Sequence, residues 1–328
     1  MSDPLMISRR RFIGLVSSTF AAPGVAKAQT SKVWRVAFLS LQCAPNPGTM
    51  AFDAALKQLG YVEGQNLVLE RRFLCQHLET VDPTIHEMIR LKSDAIVTGA
   101  IRLSEAAKNA TSAIPIVFVA VRAPVERGLV TSLARPGANL TGMATFPVAT
   151  IDSKLLQLAK ELVPRLSRIA VLRSADDPPG AVEAQERAAA SSRMKIVPIP
   201  FSTATDAASL AVAIDQSKAQ MLIAPDTSLA FARRRDIVDL VAKKRLPAAY
   251  AFRETVEDGG LIAVSPDFEE MHRQAAGYVA NILNGTKPGE LPVVMPSRLN
   301  VTVNLKTAKA LGLTIPPSVM LRADRMIE

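Results

Sequence analysis

Two cysteines and three histidines are all that the 328 residues offer for thiol, imidazole or soft-metal chemistry. Cys43 and Cys75 do not form a metal-ligand spacing, and two cysteines do not make a disulfide scaffold. A disulfide between them and a pair of free, partly buried thiols are both open readings. His77 and His86 bracket Glu79 and Asp82 without matching a ligand template, and His272 stands alone. The sequence therefore predicts no metal site. Aromatic residues make up only 5%, which argues against stacked-base recognition of nucleic acid. Beyond the N-terminus no segment approaches the roughly 20 apolar residues that span a bilayer, so direct membrane insertion is not expected.

Familiar reaction motifs are missing too. After the first apolar strand stands "FLSLQCAPNPG", not G-x-G-x-x-G, and neither G-x-x-x-x-G-K-[ST] nor G-x-S-x-G occurs. No histidine sits at the carboxyl end of an expected strand, where a Ser/His/Asp site would need one. These absences predict no cofactor, no catalytic residues and no enzyme.

What is present begins with "ISRRRFIGLVSSTFAAPGVAKAQ", Ile7 to Gln29. Arg9, Arg10 and Arg11 precede an apolar run from Phe12 to Ala26, and Ala26-Lys27-Ala28 fits a small-x-small cleavage site. The pattern is similar to a twin-arginine export signal over residues 1–28, removed near Ala28. Loss of that segment removes Arg9, Arg10, Arg11, Lys27 and Asp3, so a formal charge of +9 becomes +6. The remaining basic residues are spread out, apart from Arg233-Arg234-Arg235, which reads as a solvated helix face. A modest positive excess raises the local concentration of anionic solutes.

From Val33 onward strand and helix alternate. "VWRVAFLS", "NLVLERRF", "DAIVTGA" and "IPIVFVAV" read as buried strands, with "RPGANLTG" ending the first half in a turn and a short strand. Phe52, Leu56 and Leu59 mark a helix that Gly60 stops, and Asp82-Pro83 reads as the cap of the next. The second half repeats the alternation through "RIAVLRS", "KIVPIP", "QMLIAP", "LPAAYAF" and "GGLIAVS". About five strands fall on each side of 141–147. The pattern predicts an α/β chain of two doubly wound parallel-sheet lobes joined by a hinge. Residues 29–143 form the first lobe, with 266–290 returning to it. Residues 144–265 form the second, with 298–328 completing it.

Ligands of open parallel sheets bind beyond the carboxyl ends of the strands. Two facing sheets then share a cleft lined by Ser40, Gln42, Thr98, Gly99 and Arg122 from the first lobe. The second lobe supplies Ser174, Asp226, Thr227, Tyr250 and Arg253. Short hydroxyls beside helix N-termini suit carboxylates, though several of them have a capping role to account for them.

Three stretches carry a family resemblance: "LKQLGYVEGQNLVLERRF", "IPIVFVAVRAPVERGLVTSLARPGANLTG" and the ending "RLNVTVNLKTAKALGLTIPPSVMLRADRMIE". The chain resembles the type I periplasmic substrate-binding proteins of ABC transporters. The resemblance implies a periplasmic, monomeric receptor that closes on a small-molecule solute and delivers it to an ABC permease and its ATPase at the inner membrane. It also implies that Asp226-Thr227 and Thr98 face the ligand. Where relatives carry an acid before the proline of the fourth-strand loop, this chain has Ala123, with Arg122 just ahead. That exchange favours an anion lacking an amine, a carboxylate or an aromatic compound. Two other readings use the same fold: an exported enzyme, and a sensor that signals to a membrane kinase. A repressor-type ligand module would need a DNA-binding segment before Val33, where the export signal stands.

Overall fold

The computed structural model describes residues 32–328 apart from 176, 178, 179 and 192. The export-signal reading covers residues 1–28, which lie outside the described residues.

The first half runs β1 (Trp34–Ser40), α1 (Pro47–Gln58), β2 (Leu67–Phe73), α2 (Val81–Arg90), β3 (Ala95–Thr98), α3 (Ile101–Ala110), β4 (Ile116–Val121) and β5 (Leu140–Ala144). These five strands form one parallel sheet in the order β2-β1-β3-β4-β5. Both faces are covered, as the apolar strands require. Val36 and Phe38 of β1 pack in one core with Phe52 and Leu56 of α1, while Ala37 and Leu39 pack in another with Ile85 of α2 and Leu103 of α3. Successive side chains of a strand point to opposite faces, so one uninterrupted apolar strand serves two helical layers.

Local signals set the helix limits. Asn46 and Thr49 make a reciprocal cap at the start of α1, with Pro47 in its first turn. At its end Gly60, at φ +87°, donates to the Lys57 carbonyl and Tyr61 to that of Leu56, the stop the glycine predicts. Helix α2 departs from expectation. It begins at Val81 behind a 3-10 turn over Leu78–Thr80, so Asp82 sits inside the first turn instead of capping it. There its charge suits the helix dipole.

The second half runs α4 (Val148–Leu162), β6 (Arg168–Arg173), α5 (Ala181–Ser191), β7 (Lys195–Pro200), α6 (Ala207–Ser217), β8 (Met221–Ala224), α7 (Ser228–Ala232) and α8 (Arg234–Lys243). It continues with β9 (Ala248–Tyr250), α9 (Arg253–Glu257), β10 (Ile262–Ser265), α10 (Phe268–Leu283), β11 (Asn300–Asn304), α11 (Leu305–Leu311), α12 (Pro317–Met320) and β12 (Arg325–Ile327). The second sheet has seven strands, ordered β12-β11-β10-β9-β8-β6-β7, where about five were expected. It is also not wholly parallel, because β11 runs antiparallel to β10. The cause is the path between them. Helix α10 leaves the second sheet and packs Met271, Ala275 and Val279 against Phe52 and Leu56 of the first, and the chain then re-enters the second sheet in the reverse direction.

The arginine triplet is not a solvated face throughout. Arg234 pairs with Asp258 at 2.7 Å, and its guanidinium lies 4.5 Å from the Phe231 ring centroid. Glycine is needed at position 142: a Cβ there would stand 2.0 Å from the Phe118 carbonyl oxygen of the neighbouring strand. Among the described residues no helix is long and apolar enough to cross a membrane.

Candidate functional site

In a sheet ordered 2-1-3-4-5 the chain turns opposite ways after strands 1 and 3, and a crevice opens between their carboxyl ends. The first sheet has that order, and so do β7-β6-β8-β9-β10 of the second. Both crevices open into one cavity of about 890 Å³, open solvent at its mouth included. From the first sheet Ser40, Gln42, Gly99 and Arg122 reach it, and from the second Asp226 and Thr227. The structure thus brings together six of the ten residues expected there.

The other four lie elsewhere, each for a visible reason. Thr98 is fully buried, its hydroxyl 2.8 Å from that of Ser104, where it fastens α3 to its strand. Tyr250 is the last residue of β9 and points into the core of the second lobe with Val238 and Val256, its ring edge against Gly260. Burial alone pushes its phenol far up, out of reach of physiological titration. Arg253 binds Glu269 at 2.7 Å and ties α9 to α10. Ser174 does not line the cavity; its backbone N–H points at Asp177 Oδ2, 3.4 Å away.

A bulge shapes the approach of Arg122. The pairing of β4 with β5 slips between Val119 and Val121, and Ala120 takes φ +58°. Such a bulge re-aims the side chains that follow it. Arg122 is buried at the cavity wall with its guanidinium 3.8 Å from Asp177 Oδ1, and Arg173 approaches the other oxygen of Asp177 at 3.4 Å. Ala123, at φ +51°, completes a second left-handed turn directly after it.

Acids also line the cavity, a feature that the fourth-strand loop alone conceals. Asp226 Oδ2 and Glu254 Oε2 are both buried and, among the described residues, without a hydrogen-bond partner. Burial raises the Asp226 carboxyl above its ordinary range more than the Arg122 charge lowers it. Glu254 is raised by burial as well, with Arg253 and Arg234 pulling against it. His272 lines the same wall. Its Nδ1 lies 2.7 Å from the Phe268 carbonyl oxygen, and burial lowers its pKa, so the ring is held neutral and Nδ1–H donates. Thr227 Oγ1 is occupied as the cap of α7, accepting from Ala230 N–H.

Sequence reasoning missed the aromatic content entirely. Phe38, Phe231, Phe252 and Phe268 all line the cavity, four of the chain's eleven phenylalanines. Phe252 sits edge-on to Phe231 at 4.8 Å and stacks on Phe268 at 5.2 Å. One signal was available: Phe252 and Phe268 both lie where a strand has just ended and a helix begins, the positions that open into such crevices. Next in sequence to the cavity-lining Gln42, Cys43 forms a disulfide with Cys75, after β2. This settles which of the two thiol readings holds. No cluster of histidine, cysteine and acidic residues suited to a metal occurs among the described residues.

Comparison with known proteins agrees with this geometry. A family model described as "ABC transporter substrate binding protein" matches residues 49–327. The "Tyrosine-binding protein" of Clostridioides difficile is 26% identical over 264 residues, 80% of this chain and 75% of that protein. A solved structure of a conserved domain protein from Vibrio cholerae is 27% identical and covers 90% of this chain and all of its own, with a TM-score of 0.82. A Streptococcus pneumoniae domain solved in complex with L-Trp is 23% identical with the same coverage and a TM-score of 0.83, a likeness of fold. With two open sheets facing one cavity and a family match over most of its length, the chain belongs to the ABC transporter substrate-binding proteins.

Proposed function

We propose that the protein captures a small organic solute with a flat aromatic or apolar group and at least one charged end, and hands it to an ABC permease and its ATPase. The observation that carries this reading is the convergence of four phenylalanines with Arg122, Asp226 and Glu254 in one cleft. Aromatic side walls take the flat group, while buried charges of both signs fix its polar end. Relatives with tyrosine and tryptophan in their descriptions support the same class. The loss of an acid at Ala123 does not leave the cleft without one, so an amine on the solute is accommodated by Asp226 or Glu254.

In this reading residues 33–143 with 266–290 move as one lobe, and 144–265 with 298–328 as the other. Support comes from α10 packing on α1 and from β11 and β12 joining the second sheet. The exposed disulfide is of a kind kept in oxidising compartments, which supports a periplasmic location and removal of residues 1–28. The protein acts as a monomer and releases its solute unchanged.

Calorimetry with L-tyrosine, L-tryptophan and L-phenylalanine, against phenylacetate and L-leucine, tests the class. Aromatic amino acids should bind, phenylacetate more weakly and L-leucine least. Recovery of the bound compound intact after prolonged incubation separates a receptor from an enzyme. Saturation with no aromatic compound would remove the reading.

A further inference from the structure

Besides the ion pairs Arg122–Asp177 and Arg253–Glu269, a neutral side chain links the two lobes without any help from a solute. The amide nitrogen of Gln76 lies 3.0 Å from the Leu41 carbonyl oxygen and 3.2 Å from that of Ser228. Leu41 follows β1 in the first lobe; Ser228 opens α7 in the second and lines the cavity. An amide NH2 carries two hydrogens, so it can donate to both carbonyls together. If the lobes part, Gln76 keeps its bond to Leu41 and loses the one to Ser228.

Backbone conformation, hydrogen bonds and the disulfide together fix the place of Gln76. Cys75 at φ +48° and Gln76 at φ +63° occupy the left-handed region that residues other than glycine seldom enter. Three backbone hydrogen bonds pin the segment to the end of β1: Leu74 N–H to Ser40, Cys75 N–H to Gln42 and Gln76 N–H to Leu41. The disulfide then ties Cys75 to Cys43, two residues beyond Leu41. Both half-cystines are exposed, so core packing is not what this bond serves.

We infer that Gln76 is a latch between the lobes, positioned by the Cys43–Cys75 disulfide. Its role in solute capture rests on the receptor reading, but the contact itself joins protein atoms only. The closed form is therefore populated before any solute arrives, and a solute adds its own preference for that form. A single neutral hydrogen bond shifts such an equilibrium by about twofold to tenfold.

Four forms test the latch: Gln76→Ala; Gln76→Glu, of the same shape but without a donor; Cys43→Ser with Cys75→Ser; and that pair combined with Gln76→Ala. Small-angle scattering on the ligand-free proteins should show a larger radius of gyration than the parent in all four. Gln76→Ala should add no further expansion once the disulfide is gone, a coupling that independent sites do not show. Melting of the Gln76 variants should match the parent. Stopped-flow release of L-tyrosine should be about twofold to tenfold faster from Gln76→Ala than from the parent. Ligand-free radii of both Gln76 variants equal to the parent would overturn the latch, and full additivity with the cysteine pair would overturn its dependence on the disulfide. If the parent does not bind L-tyrosine while Gln76→Ala still expands the ligand-free protein, the latch stands and the choice of solute class fails.

Discussion

Arg122 and Asp177 face each other at 3.8 Å, an arginine at the end of β4 and an acid in the loop after β6, both largely withdrawn from solvent. The two belong to different sheets, so the lobe opening that the receptor reading requires would break the pair. With Asp226 on the same side as Asp177, Arg122 answers two acids of the opposite sheet. Its charge is shared between the protein and any solute carboxylate. Arg122→Ala should therefore weaken solute binding by about 2–5 kcal/mol, much of it the cost of leaving buried acids unanswered. Calorimetry on Arg122→Ala, Asp177→Asn and the double variant measures this. The double variant should lose less than the sum of the single losses, and strict additivity would show that the pair does not act together.

Asp226 has a cost in the empty protein. Its carboxyl is raised by burial, so between the ordinary and the raised pKa the folded chain holds a proton that the unfolded chain has released. Stability on this account is greatest below the ordinary carboxylate range and falls as pH rises through the raised pKa. Asp226→Asn should raise the stability of ligand-free protein at pH 7 by about 1–3 kcal/mol and flatten its pH dependence, while weakening an amine-bearing solute. Denaturant titrations between pH 4 and pH 8 provide the check; parallel curves for variant and parent would place Asp226 in a less costly setting.

Phe252 joins the edge-on and stacked contacts of the aromatic wall. Phe252→Ala should reduce affinity for aromatic solutes by more than for aliphatic ones, by about 0.5–1.5 kcal/mol beyond the area lost. A uniform loss across both classes would mean the ring fills space without selecting the solute.

The Cys43–Cys75 bond closes a segment with a sequence separation of 32. By loop entropy it should contribute about 3–4 kcal/mol to stability, which replacing both cysteines by serine removes. Alkylation of native, unreduced protein should label neither sulfur, and two labels per molecule would contradict the bond.

At Gly142 any side chain collides with the Phe118 carbonyl, and backbone cannot move aside as a side-chain tip can. Gly142→Ala should cost about 3–5 kcal/mol, read as a lower melting temperature.

The layout of strands was legible because parallel strands covered on both faces must be apolar at nearly every position. From "VWRVAFLS" and "QMLIAP" the carboxyl ends followed, and with them Ser40, Gln42, Asp226 and Thr227. The rest failed for definite reasons. At "AAYAFRE" the crevice residues are Phe252 and Glu254, while their neighbours Tyr250 and Arg253 turn into the core and toward α10. Where a strand ends and a five-residue helix starts, no period tells which side chain faces the opening. Phe38 is indistinguishable in sequence from its core neighbours in β1. The reversal of β11 is invisible because "NVTVN" alternates the same way in either direction; only the detour of α10 sets its sense.

That detour governs the order in which the chain can be built. Helix α1 is among the first segments of the described chain to emerge from a ribosome, yet the surface that covers Phe52 and Leu56 includes Met271, Ala275 and Val279. At about 5–20 residues per second, more than two hundred further residues must be made before that surface arrives. The first lobe thus cannot finish until most of the second has been translated, although its own sheet is made first. During that interval a nascent chain shows an apolar stripe on α1, so holding factors have a defined place to act. A chain cut short before α10 leaves the part of that stripe that α10 covers bare for good.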